Sequence, residues 1–112
     1  MAHPYLEQLQ NLVQDARIGG ADVVCKHFFS GAAAYTHGKI FASLTPKGLA
    51  LKFSDSRCSD LLRNDFAEPL QYFDNSPVKR GYVLFPEHTK FESKELEQYF
   101  RESMSSATHD AV

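Results

Sequence analysis

An α+β domain with a mostly antiparallel sheet is the fold class this sequence predicts, on three observations. Short apolar runs cluster between Phe28 and Phe53, separated by His37-Gly38 and by Pro46-Lys47-Gly48. Glycine and proline supply the backbone angles of a chain reversal, so this stretch reads as three strands and two tight turns. Helix-periodic segments flank it on both sides, and strands come in runs rather than alternating strictly with helices. A meander of three strands needs a helix over its apolar face to be stable.

The first element is an amphipathic helix over residues 4 to 18. Pro4 suits its first turn. Leu6, Leu9, Val13 and Ala16 recur at helical spacing, Tyr5 and Leu12 widen the stripe, and Gly19-Gly20 supply the stop. Asp22 to Phe29 is rich in β-branched and aromatic residues and is either a strand or an extended approach to the meander. Alternation sets Val23, Cys25, His27 and Phe29 against Val24, Lys26 and Phe28. Each side carries a polar member, so the buried side stays open. Gly31 then fits a bulge or a close backbone approach.

Within the meander, Lys39 to Thr45 alternates Ile40, Ala42 and Leu44 against Phe41 and Ser43. Neither set is polar, which implies a central strand covered on both faces. Gly48 to Phe53 places Leu49, Leu51 and Phe53 inward, with Ala50 and Lys52 outward. Ser54-Asp55-Ser56 offers N-cap oxygens for a helix of two turns anchored by Leu61 and Leu62. Residues 65 to 77 are loop-like, with Leu70 to Phe73 as a further short strand. Gly81 to Phe85 is a strand ended by Pro86. The last helix spans Ser93 to Ala107, capped by Ser93 or Thr89, with the stripe Leu96, Tyr99, Phe100, Met104 and Ala107, before a frayed tail.

At 112 residues, 43% hydrophobic and 23% charged, the chain is expected to form one domain over 1–112. A chain this long buries roughly two thirds of the surface its unfolded form exposes, so no disulfide or metal is required. The formal charge of −2 gives no electrostatic case for a nucleic-acid or membrane partner. The N-terminus lacks the apolar core of a signal sequence, and no apolar run approaches the ~18 residues of a membrane span. Cys25 and Cys58 are therefore read as free thiols of a soluble cytoplasmic domain.

Cys25 and His27 point the same way on a strand and form the sharpest pair for nucleophilic chemistry. Side chains two apart on one strand nevertheless stand about 7 Å from each other at the backbone, and no oxyanion-hole signature follows. The five histidines match no ligand spacing, so no metal is expected. Gly31, Gly38 and Gly48 are too dispersed to cradle a phosphate. Lys26, Lys39, Lys47, Lys52, Lys79 and Arg80 interleave with Tyr35 and Tyr82, a composition that single-strand nucleic-acid faces use. Acidic residues interspersed among them favour a solvated sheet face instead. No carboxylate pair stands at general acid–base spacing.

The segment FFSGAAAYTHGKIFASLTPKGLALKF, followed by GYVLFP and a terminal amphipathic helix, resembles the N-terminal domain of the TfoX/Sxy family. Lys26, Phe29 and Gly31 stand at that family's first motif, where Phe28 and Ser30 replace its Met and first Gly. Gly38, Lys39, Phe41 and Ala42 match the second. Leu49, Leu51 and Lys52 match the third, and Tyr82, Val83 and Pro86 the fourth. The resemblance implies a two-layer domain of order α-β3-α-β2-α. Longer members regulate natural competence together with the cyclic-AMP receptor protein, and they carry a second, C-terminal domain. The chain is read as the N-terminal domain standing alone.

The expectation is thus a non-enzymatic regulatory or protein-interaction module with a protein partner, including a homodimer, and with no cofactor. Its candidate interaction face is Tyr35, His37, Lys39 and Lys52, the residues of the meander that turns and packing leave unexplained. The competing readings are a ligand-binding or enzymatic pocket using Cys25, His27 or Tyr82, and weak nucleic-acid contact through the lysines.

Overall fold

Turn chemistry and alternation position most of the elements. The computed structural model describes residues 4–18, 22–28, 30–63, 67–71 and 75–109. In chain order they are α1 (Pro4–Asp15), β1 (Val23–Phe28), β2 (Gly31–Thr36), β3 (Lys39–Thr45), β4 (Gly48–Lys52), α2 (Asp55–Leu62), β5 (Glu68–Pro69), β6 (Tyr82–Phe85), a 3-10 helix (His88–Lys90) and α3 (Ser93–His109). The strands form one sheet of order β1-β2-β3-β4-β6-β5, and every pairing is antiparallel. The α+β class and its antiparallel sheet are as expected. Four strands rather than three precede α2, because Val23–Phe28 pairs along its whole length with Gly31–Thr36.

The sheet has two unlike faces. On one, Leu9 and Val13 of α1 and Leu96, Phe100 and Ala107 of α3 join Ala32, Ala34, Phe41, Ala42, Leu44, Leu49, Leu51, Phe53, Val83 and Phe85 in the main core. On the other, Ala50, Tyr82 and Leu84 lie under Leu70, with Ile40 packed against them. That second face is covered by the segment leading from β5 to β6. The Lys79 N–H donates to the Leu70 carbonyl (2.8 Å), and Lys47 Nζ donates to the Gln71 carbonyl (3.1 Å).

Strand β4 alternates as its sequence requires, with Leu49, Leu51 and Phe53 under the helices. Strand β3 does not. Ala34 pairs with Ala42 but Tyr35 pairs with Ile40, so Phe41 is an extra residue, a bulge. A bulge turns two successive side chains to one side. Phe41 therefore joins Ala42 and Leu44 in the main core, edge-on to Phe100 at 6.1 Å between ring centres, and Ile40 goes to the other face.

Helix α1 stops before the glycines. Arg17 takes the left-handed conformation (φ 58°); its N–H donates to Gln14 and that of Ile18 to Val13. These two bonds make a Schellman stop with arginine in the position glycine usually fills. Gly19-Gly20, like Phe29, lie outside the described residues.

Helix α2 is capped by Ser54 as expected, its hydroxyl accepting from the Arg57 N–H at 3.3 Å. Its buried pair is Cys58 and Leu61, three apart on one side, while Leu62 turns outward. The strand expected at Leu70–Phe73 is displaced to Glu68–Pro69, opposite Leu84 and Val83. Leu70 instead buries its side chain over Ala50, and residues 72–73 lie outside the described residues. Neither Ser93 nor Thr89 caps α3. Leu96 N–H donates to the Glu92 carbonyl, and the Glu95 carboxylate accepts from the Glu92 N–H at 3.2 Å. The helix continues through Thr108, whose hydroxyl donates to the Met104 carbonyl.

Two glycines set the meander. His37 (φ 50°) and Gly38 (φ 79°) occupy a two-residue turn that needs positive φ at both places. Gly31 has another reason, since a Cβ there would stand 1.9 Å from the backbone oxygen of Leu44. Gly31→Ala should therefore cost about 3 kcal/mol, as backbone overpacking that no rotamer relieves. Gly38→Ala meets open space and should cost about 1 kcal/mol for its left-handed backbone. Denaturant unfolding of both variants measures the difference.

Candidate functional site

The four residues of the expected interaction face gather at one end of the sheet. Thr36 pairs with Lys39 and Tyr35 with Ile40, on either side of the His37-Gly38 turn. Leu51 pairs with Ala42, so Lys52, one residue further, ends β4 at the same margin, where it pairs with Tyr82. His37 is exposed at the turn, its Nε2 3.9 Å from the Asp22 carboxylate. Tyr35, Lys39 and Lys52 are half-buried.

The lysine–tyrosine interleaving is real but turned inward. On the loop-covered face, Lys26 Nζ stands 5.6 Å from the centre of the Tyr35 ring. Lys52 and Lys79 stand 5.2 and 6.0 Å from that of Tyr82. Cation–π contact thus occupies the rings that a stacked base would need. Tyr82 is only 6% exposed, and Ala33, Ser43 and Ala50, a neighbouring row on the same face, are fully covered. Lys47 belongs to the other end of the sheet, at the β3–β4 turn. Arg80 leans on Asp55 at 3.7 Å.

Cys25, His27 and Tyr82 share no pocket. The first two lie on β1, at one edge of the sheet, with Cys25 packed against the main core; Tyr82 lies on β6, on the opposite face. Burial pushes the thiols of Cys25 and Cys58 up from their ordinary value, which disfavours the thiolate a nucleophile needs. Both cysteines are free. Among the described residues no group of three His, Cys, Asp or Glu side chains is placed to hold a metal, and no helix is long and apolar enough to cross a membrane.

An open groove of about 730 Å³ lies between α2 and α3, lined by Ser54, Arg57, Arg101, Glu102 and Ser105 among others. Arg57 grips Glu102 with two bonds, Nε to Oε2 at 2.9 Å and Nη2 to Oε1 at 3.2 Å. That hydrogen-bonded carboxylate raises the Arg57 pKa further. Arg101 bonds Glu97 at 2.9 Å and reaches the Arg17 carbonyl at 3.4 Å. Both guanidiniums are committed to holding helices together. Sequence reading missed this groove because Arg57–Glu102 and Arg101 to the Arg17 carbonyl join residues far apart in the chain.

A family model for the TfoX N-terminal domain matches residues 13–107, and the chain belongs to that family. No curated protein and no solved structure matches it. The match spans every element from the end of α1 to α3. Gly31 and Gly38 serve the backbone, Phe41, Leu51 and Tyr82 pack the two sheet faces, and Pro86 follows β6.

His88, in the 3-10 helix before α3, was read from sequence only as one of five scattered histidines. Its Nδ1 is buried without a hydrogen-bond partner, and burial lowers its pKa below the ordinary 6.5. In the window between that lowered value and 6.5, the unfolded chain binds a proton that the folded chain does not. Stability should therefore fall as pH drops below about 6.5. Thermal melts from pH 7.5 to 5.5 should show a shallower decline for His88→Gln than for the wild type, and parallel declines would contradict this.

Proposed function

We propose that this TfoX N-terminal domain is a non-enzymatic regulatory module of the bacterial cytoplasm that acts by binding a protein partner. One observation carries the reading. The polar side chains His37, Lys39 and Lys52, with Tyr35 beside them, come to one end of the sheet from three consecutive segments of the meander. The groove that would serve a small molecule, by contrast, has its guanidiniums paired with its own carboxylate and carbonyl groups.

The chemistry of that end suits an acidic protein surface. The His37 imidazole is exposed there, 3.9 Å from the Asp22 carboxylate, beside the half-buried Lys39 and a Lys52 ammonium that lies 5.2 Å from the Tyr82 ring centre. Rim charges of this kind act on encounter and specificity, and a tyrosine among them supplies contact area at low entropic cost. The resemblance to competence and transcription regulators supports a regulatory role for whatever binds there. A small-ligand domain is the competing reading, since the groove beside Arg57 falls within the size range of small-molecule sites.

The test is a charge reversal at the two half-buried lysines of that end. In cells, cross-linking of wild-type chain and of a Lys39→Glu/Lys52→Glu variant should recover the same partner at least about tenfold less with the variant, equivalent to about 1.4 kcal/mol. Equal recovery would contradict the surface. A metabolite that raises the melting temperature saturably, with no protein recovered, would favour the ligand reading.

A further inference from the structure

The two edges of the sheet are built differently. At one, β5 is two residues long and includes Pro69, which has no N–H to offer another strand. Short edge strands and proline are standard protections against pairing. At the other, β1 is six residues long, Val23–Phe28, and among the described residues no strand pairs with its outer side. Val24, near its start, is among the few large apolar side chains that are exposed, at 47%. Among the described residues of β1, Lys26 supplies an edge charge, and lysine deters pairing unless something opposite neutralises it.

We infer that β1 is the seam of a homodimer, in which β1 of a second copy pairs with it antiparallel about a twofold axis at Val24. The register follows from what β1 must place opposite itself. In a continuous sheet opposed residues share a face, which restricts the twofold to a residue position. Centred on Val24, the pairing sets Val24 against Val24, Val23 against Cys25, and Asp22 against Lys26. Apolar meets apolar on both faces, and the edge lysine meets a carboxylate at each end. Centred on Cys25, Lys26 would oppose Val24; centred on Lys26, two ammonium groups would face each other; centred on Val23, Asp22 would oppose Val24.

The neighbouring geometry accommodates this pairing. Asp22 and Lys26 are both exposed; Lys26 leans toward Tyr35, and the Asp22 carboxylate, one residue before β1, stands 3.9 Å from His37 Nε2. Val23 and Cys25 already pack against the main core, so a second copy would continue that core across the seam. This inference concerns self-association through β1 and the adjoining Asp22, which also lies beside His37, and its test reads mass rather than capture of a different protein.

Sedimentation equilibrium of the full chain over a rising concentration series tests it. The weight-average mass should climb from the 12.6 kDa monomer toward twice that value. Asp22→Lys places like charges opposite each other, as does Lys26→Asp, and each should weaken the dimer about tenfold; the double swap should restore it to within about threefold. Asp22 and Lys26 are exposed, so all three variants should keep the wild-type circular dichroism spectrum. A monomer at every concentration would overturn the proposal. So would a dimer indifferent to both single changes, or a double swap no tighter than either.

Discussion

Helix α3 is fastened to the sheet by a cluster of four rings, and the rest of the structure depends on that attachment. Phe85 stacks on Tyr99 at 5.3 Å and meets Phe91 edge-on at 5.1 Å; Phe53 closes on Tyr99 at 6.2 Å. Each such pair adds about 0.5–1.5 kcal/mol beyond the apolar area it buries. The cluster draws on β4, β6, the turn before α3 and α3 itself, and burial pushes the Tyr99 phenol up from its ordinary value. Once α3 is seated, Phe100 covers Phe41, α1 fills the space over β1 to β3, and the Arg57–Glu102 pair ties α2 to the same helix. One sheet face is then dry under helices, and the other is closed by the segment that Leu70 anchors. Among the described residues, the surfaces left open include the His37 end, the β1 edge and the groove between α2 and α3.

The parts of this fold legible in the sequence are those decided by neighbours in the chain. His37-Gly38 and the alternation of Leu49, Leu51 and Phe53 each need only local geometry, and both hold. The departures come where a distant contact decides. Phe41 leaves its alternation because a bulge against Ala34 and Tyr35 gives it to Phe100. Leu62 yields its place to Cys58 because α2 presents only one narrow side to the core. Arg17 stops α1 because Val13 and Ile18 pack together across the turn, a closure that composition alone would have assigned to the glycines. Ser103 lies fully buried in the middle of the α3 stripe, its hydroxyl unpartnered, where an apolar pattern passes over it.

The place of the four candidate residues has a different origin. From composition, Tyr35, His37, Lys39 and Lys52 are what a reading of turns and packing leaves over, although in the structure His37 forms the turn and Lys52 lies over Tyr82. Strand register then brings these residues together, because a meander folds consecutive strand ends to one margin. The lysine–aromatic pattern misled in the same way that local patterns do. It identified side chains that share a face, but not that the ammonium groups would lie on the rings and the loop would close over Tyr82.

The central claim is that this domain works through the rim of its sheet and not through the groove between α2 and α3. A photo-reactive benzophenone side chain installed at position 37, and separately at Ser106 in the groove, tests it most directly in living cells. The account predicts that position 37 captures a protein partner in good yield and that position 106 does not. Capture at position 106 with none at position 37 would contradict it.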